Sequence, residues 1–433
     1  MVRETYQRIR NRFQYRQRMG PEAPSTSPPD APLRRSRRRG ESPPLAIELL
    51  KHPESIDPQP LSPFFSKLPR EIREQIWCLS LTRYEDFNSI YEIHLRHARP
   101  GQAGKWRIAV KLLLTCRAIY VEAFLKPFQV NPIVFFDGHY EDIPPSNPLV
   151  RSTMDPLLCQ KLKSWQFANI SSVEMTVQQF ALEGGAVERV SRLVGTSGRH
   201  RGYESHGYTS AGYAAFTEPA DTEDSNLRIG RKITHLTIRM LRTDWWTWET
   251  RPEECQRRPS ERLRLEPMIN VTHLSAQAEN GLAMKRGYEA RKAGNEPDFG
   301  LDDFEKQGRW GMQIGEYWPD LTTLELVLET FGCKQDQLDY VAECAKLWTF
   351  PLPDSFHLAW SGEDAYRWQG AGAYGYEGPY STWFEEQNKA RIPEGGDPPL
   401  IQWMPADARP VDGQEFIVRK ITFERRRDPD RSS

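Results

Sequence analysis

The string Gly370-x-Gly372-x-x-Gly375 has the spacing of a dinucleotide-binding fingerprint. That chemistry needs a strand running into the glycines and a helix running out, so that the backbone can approach a pyrophosphate held at the helix N-terminus. The surrounding sequence reads instead as a turn-rich aromatic loop, continuing Tyr376-Glu377-Gly378-Pro379-Tyr380, with neither element beside it. No cofactor is expected. His200 and His206 lie among Gly195, Gly198, Gly202, Gly207 and Gly212, where nothing orients an imidazole for acid–base work. His235 and His273 take the same place in two Thr-His-Leu segments, which reads as a structural position because a third metal ligand at known spacing is missing. Six cysteines, at 78, 116, 159, 255, 333 and 344, stand singly and read as free thiols, neither a disulfide framework nor a zinc site. Phosphate-cradling, zinc-hydrolase and nucleophile-elbow strings are absent. The sequence therefore assigns no catalytic residue and no metal ligand.

Binding chemistry has three candidates. Asp244-Trp245-Trp246-Thr247-Trp248-Glu249, flanked by Arg242 and Arg251, sets three indoles beside cations and acids. Trp245, Trp246 and Trp248 could anchor a partner, or they could cap the edge of the core with their N–H groups bonded to acids. The aromatic run Trp360, Tyr366, Trp368, Tyr374, Tyr376, Tyr380 and Trp383 holds Arg367 against Glu363, Asp364, Glu377 and Glu385, so it would repel phosphate. Arg34, Arg35, Arg37, Arg38 and Arg39 form a nuclear-import or phosphate-binding patch, or a solvated basic tail.

At 433 residues the chain is long enough for roughly two or three folded units. Lys+Arg (58) and Asp+Glu (59) nearly cancel, so no global field favours nucleic acid, an anionic membrane or an acidic substrate. The opening residues are Arg-rich without a secretory apolar segment, and no window approaches the ~18 apolar residues of a membrane span. An intracellular protein, cytoplasmic or nuclear and off the membrane, is expected. Residues 1–61, with eleven prolines between Pro21 and Pro63, read as a disordered basic arm.

Order is expected from Leu61. Leu68, Ile72, Ile76 and Leu79 recur at helical spacing after Pro69, and Leu112, Cys116, Ile119, Tyr120 and Ala123 share one face of a second helix that Pro127 ends. Between them, 82–110 is irregular with strand-like pieces at Ile90–Leu95 and Trp106–Val110, and a short strand follows at Ile133–Phe136. Beyond 150, the segments Ile170–Val177, Ile233–Met240, Val271–Ala276 and Leu321–Leu328 share an apolar-x-x-apolar-x-apolar form. They predict strands, the first leading into a helix at Gly184–Val194 and the last into one at Gln335–Trp348. Residues 195–228 and 281–310 have flexible-loop composition, and Glu415–Phe423 reads as a last strand. The fold class is thus α+β or α/β: a small helical module at 62–140 with an inserted segment, then an α/β domain over 150–425. That domain is either leucine-rich-repeat-like, a parallel stack of strand–helix units, or a non-repetitive layer.

The blocks Phe65-Ser-Lys-Leu68-Pro69-Arg-Glu71-Ile72-Arg73-Glu-Gln-Ile76-Trp77 and Leu112-Leu-Leu-Thr-Cys116-Arg117-Ala-Ile119-Tyr120-Val-Glu122-Ala123 together resemble the fungal F-box-like family of the LPxEIRxxIW type. The resemblance implies a helical module that contacts the adaptor subunit of a cullin-RING ubiquitin ligase, while downstream sequence captures a substrate. Carried over by position, it implies Leu68, Pro69, Ile72, Ile76, Leu79, Leu113, Cys116 and Ile119 as adaptor-facing residues. The expected function is a non-catalytic protein–protein interaction protein, an F-box-type substrate receptor whose partners are that adaptor and an unidentified substrate. Two alternatives stand beside it. One is a scaffolding protein in which the same helices are buried as core, and the other is a nuclear protein acting on nucleic acid through the Arg-rich arm.

Overall fold

Ala46 and Leu49, one turn apart, bury one side of α1 (Leu45–Lys51). The computed structural model describes residues 44–91, 99–137, 150–152, 164–194, 232–248, 250, 252–257, 262–268, 274–297, 299, 310–370, 404–405 and 414–428. Residues 44–61 correct the expected reach of the arm. Besides α1 they hold a 3-10 turn at Pro53–Ser55, whose last carbonyl accepts from Arg117 Nη1 at 2.8 Å. Two apolar side chains and one such tie are enough to seat a Pro-rich stretch that composition alone would leave unfolded.

Next come α2 (Pro63–Lys67) and α3 (Arg70–Leu81), with Pro69 just outside the first turn of α3. The inserted segment is an antiparallel hairpin, β1 (Tyr84–Ile90) and β2 (Gly104–Arg107). The expected second helix is broken. A 3-10 turn spans Val110–Leu114, Cys116 is extended, and α4 (Arg117–Ala123) starts beyond it, followed by α5 (Lys126–Gln129). Cys116 serves as the N-cap, its Sγ accepting from the Ile119 N–H at 3.5 Å, so Leu113 and Cys116 do not share a helix with Ile119.

The main sheet is built from strands whose apolar residues alternate, which turns every second side chain to one face. Its parallel half runs β4 (Val150–Ser152), β3 (Ile133–Asp137), β5 (Ser172–Val177), β6 (His235–Met240) and β7 (Thr323–Phe331). Antiparallel strands continue it: β11 (Gln414–Arg427) beside β7, then β9 (Phe356–Gly370), which also pairs with β8 (Thr349–Leu352) and β10 (Met404–Pro405). Register places Val173, Leu236 and Leu324 side by side. These residues and their i+2 neighbours form one cluster under α6 (Val187–Val194), α7 (Leu274–Lys292), α8 (Trp310–Tyr317) and α9 (Gln335–Ala345). At Gly315 in α8 an added Cβ would lie 1.8 Å from the Pro351 carbonyl oxygen, so only glycine lets this helix reach β8.

The class is α+β, helices packed on a large curled mixed sheet. Leucine-rich-repeat-like stacking is not seen, because the parallel run ends at β7 and the sheet goes on in antiparallel strands. β3, read with the N-terminal module, lies inside the main sheet between β4 and β5. Two further expectations change at 271–310. Residues 274–276, read as strand, open α7, and 281–292, read as loop, belong to it. α7 is rich in charge and lacks an apolar period, so its signal comes from tertiary ties: buried Met284, and Arg291 paired with the buried Glu266 at 2.6 Å.

Candidate functional site

Arg73, Trp77 and Leu81 recur every four residues along α3 and face α4. Trp77 and Leu81 bury against Ala123, with Phe64, Ile108, Leu112, Leu113 and Ile119 packed around them. The polar part of this contact centres on Glu122, which accepts from Arg73 Nε at 3.1 Å and Nη2 at 2.7 Å and from Trp77 Nε1 at 3.2 Å. Burial pushes the Glu122 carboxyl up, but the bonds from Arg73 and Trp77 outweigh it and hold the group below its ordinary value. Arg73 Nη1 also donates to the Leu68 carbonyl at 2.7 Å, tying the end of α2 to α3.

With that face turned inward, the predicted stripe falls on the other side of α3. Ile72 is 41 % exposed and Leu79 79 %, Pro69 is exposed, and Leu68 and Ile76 are half-buried. Leu113, Cys116 and Ile119 are half-buried, and of these Leu113 and Ile119 lean on the Trp77 cluster within the layer. Of the eight candidates, then, Pro69, Ile72 and Leu79 are open on the outer side, and the pair Leu113 and Ile119 is used for internal packing.

The tryptophan cluster follows β6, at the carboxyl end of the parallel strands, where loops of α/β sheets commonly carry sites. Trp245 is closed inside the core, its Nε1 donating to the Glu329 carbonyl at 2.8 Å. Trp246 is half-buried and donates to Glu183 Oε2 at 2.8 Å, and Trp248 stacks near Phe331 at 6.3 Å. A partner-binding role for Trp245 is thereby corrected, since its ring has no route to the surface and caps the core.

Sequence reading missed the polar network that holds this turn. Gln179 Oε1 accepts from the Trp246 N–H at 3.0 Å, and its Nε2 donates to Glu183 at 2.9 Å and to the Arg264 carbonyl at 2.8 Å. Lys334, itself buried, donates to the carbonyls of Thr247 and Trp248 at 2.7 and 2.8 Å. Burial pushes Glu183 up to about 7, and the bonds from Trp246 and Gln179 offset only part of that. Both Glu183 oxygens are already engaged by protein donors, which suits a structural carboxyl better than a catalytic one. The available signal was a run of polar residues at or just beyond the carboxyl end of each strand: Gln178-Gln179, Arg242-Thr243-Asp244 and Glu329-Thr330.

Other sequence candidates are scattered. β9 runs up to Gly370, contrary to the expectation that no strand precedes the glycine string, but it is antiparallel to β11 and so is not the first strand of a dinucleotide-binding unit. His235 is exposed, its Nδ1 2.8 Å from Thr234 Oγ1. Residues 371–375, His200, His206, His273 and Arg34, Arg35, Arg37, Arg38 and Arg39 lie outside the described residues. Among the described residues, no helix is long and apolar enough to cross a membrane and no group of three or more His, Cys, Asp or Glu is placed to hold a metal ion. No family model, no curated protein and no solved structure matches this chain, and the functional reading rests on the geometry above.

Proposed function

We propose that this protein works by binding other proteins rather than by catalysis, and that its helical layer docks the adaptor subunit of a cullin-RING ubiquitin ligase in the manner of an F-box-type substrate receptor. The observation that carries the reading is the division of α3 into two apolar sides. Trp77 and Leu81 satisfy the packing of the layer, which leaves Ile72 and Leu79, at 41 % and 79 % exposure, without an internal role. Exposed aliphatic side chains gathered on one helix are costly in water and are retained where a partner covers them. Pro69 and the half-buried Leu68 and Ile76 extend that surface towards the start of α3.

The test is titration of the full chain with purified fungal adaptor subunit, beside the variant Leu79→Asp. Because Leu79 is so exposed, the variant should keep wild-type stability to within about 0.5 kcal/mol. Its affinity for the adaptor should fall about tenfold or more, as for a buried interface anchor turned charged. Absence of binding at about 100 μM adaptor, roughly the weak end of transient complexes, would overturn the reading. Equal affinity of variant and wild type would do the same.

A further inference from the structure

We propose that the sheet face turned away from α6–α9 carries a binding site for a compact carboxylate, gripped by Arg83, Arg99 and Arg239 beside Thr176 and Gln102. The site is independent of the adaptor surface on α3. Its floor is β5 and β6, where Glu174 and Thr176 share a face and Thr176 is in register with Arg239. Arg83 arrives from the end of α3, and Arg99 and Gln102 arrive from the bridged turn that leads into β2.

Charge bookkeeping motivates the assignment. Glu174 accepts from Arg83 Nη2 at 2.8 Å and from Arg239 Nε at 3.1 Å, and Arg99 Nη2 stands 3.8 Å away. Burial opposes the charge on Glu174, but Arg239, Arg83 and Arg99 hold its carboxyl at about 2, so it is ionised. One carboxylate thus faces three guanidinium groups. Glu329 and Asp244 also act on Arg99 through space, but Glu329 is already paired with Arg242 at 3.0 Å. Glu85 acts on Arg83 in the same way, so four arginines stand against four carboxylates, but Glu174 alone lies within 4 Å of the guanidinium groups of Arg83, Arg99 and Arg239 among the described residues. Three like charges held this close to one carboxylate are expensive unless a further anion sits against them.

The hydrogen-bonding inventory points the same way. Arg83 Nη1, Arg99 Nη1, Thr176 Oγ1 and both polar atoms of the Gln102 side chain are buried with no partner among the described residues. Arg99, Gln102 and Thr176 are each more than nine-tenths buried. Guanidinium groups present paired donors that match the two oxygens of a carboxylate, and the Thr176 hydroxyl and the Gln102 amide are further donors on neighbouring backbone positions. Arg83 lies over the Trp106 ring at 3.6 Å, which holds its plane ready before any ligand arrives. The Arg83 and Arg239 side chains, at 20 % and 19 % exposure, are the arginines of the cluster that reach solvent. A monoanion suits the site, because a dianion such as phosphate would bring a second charge against Glu174.

Calorimetric titration of the full chain with acetate, at constant chloride and ionic strength, tests the site. One saturable site is expected with a Kd of about 1 mM or tighter, and with inorganic phosphate at least about tenfold weaker. Thr176→Val keeps the shape of the side chain and removes the hydroxyl, so acetate affinity should drop about threefold to tenfold at an unchanged melting temperature. Gln102→Leu should do likewise, and Arg99→Met should abolish saturation. Should Arg99→Met fail to fold, the other two variants carry the test. No saturable acetate binding, phosphate binding tighter than acetate, or unchanged affinity in both Thr176→Val and Gln102→Leu would overturn the proposal.

Discussion

Among the described residues, the buried cluster of the helical layer is Trp77, Leu81 and Ala123, whereas forty buried side chains form one continuous cluster between the sheet and α6–α9. The layer makes up the difference with polar ties. Glu122 gathers Arg73 and Trp77, Lys126 pairs with Glu74, and Asn131 Nδ2 donates to the carbonyls of Leu81 and Pro127, each at 2.8 Å. Such ties orient helices without covering apolar surface. Eleven of the fifteen large exposed apolar side chains among the described residues therefore lie between Leu45 and Leu114, and four in the rest. A region that needs little core to stay folded can spend its other apolar residues outward, which the sheet, closed on its helical face, cannot.

The contrast would be broken most directly at Phe350, fully buried and packed edge-on against Phe423 at 5.0 Å. Phe350→Ala should cost about 3–5 kcal/mol in denaturant unfolding, and a loss under about 1 kcal/mol would mean the large cluster is not the stabilising core. Acidity should act on the two regions with opposite sign. Glu183 titrates at about 7 in the folded chain against its ordinary 4.5, so folding takes up a proton between these values and stability falls as pH rises through that window, by about 3 kcal/mol in all. Glu183→Gln should flatten this dependence in unfolding titrations between pH 4.5 and 7. Glu122, held below its ordinary value, contributes stability that is present above pH 4.5 and is lost on further acidification. Opening of the helical layer below pH 4.5 would show as faster exchange of the α3 and α4 amides.

A smaller loss of stability than at Phe350 is expected from Trp77→Ala. It removes a buried ring tilted against Phe64 at 4.8 Å and one hydrogen bond to Glu122. The cost should be about 2 kcal/mol, under the usual range for a buried aromatic, because a three-residue core can close over the gap. Hydrogen exchange should rise in α3 and α4 while β5–β7 stay protected. Equal loss of protection in both regions would show that the layer and the sheet unfold as one.

Legibility followed periodicity. Ile170–Val177, Ile233–Met240, Leu321–Leu328 and Glu415–Phe423 were readable as strands because alternation is a local property, and all four correspond to strands of the main sheet. α7 was not readable, since its helicity is supported by Met284 and the Arg291–Glu266 pair rather than by an apolar stripe. The break before α4 hid inside an apolar run, Leu112-Leu113-Leu114, that fits either one helix or two pieces. The network around Glu183 joins Gln179, Trp246 and Arg264, residues up to 85 positions apart, so no local window could assemble it.

Sequence alone determined that α3 is amphipathic, that its neighbour is helical at Ile119–Ala123, and that apolar strands alternate beyond residue 130. It could not determine which side of α3 faces inward, because Ile72, Ile76 and Leu79 and the pair Trp77 and Leu81 are both apolar at helical spacing. The tertiary structure decided that through Glu122, a carboxylate 45 residues from Trp77 that binds the indole and the Arg73 guanidinium together and so turns one stripe inward and the other to water. The arginines around Glu174 were decided in the same way, since Arg83, Arg99 and Arg239 meet only when the hairpin segment folds over β5 and β6.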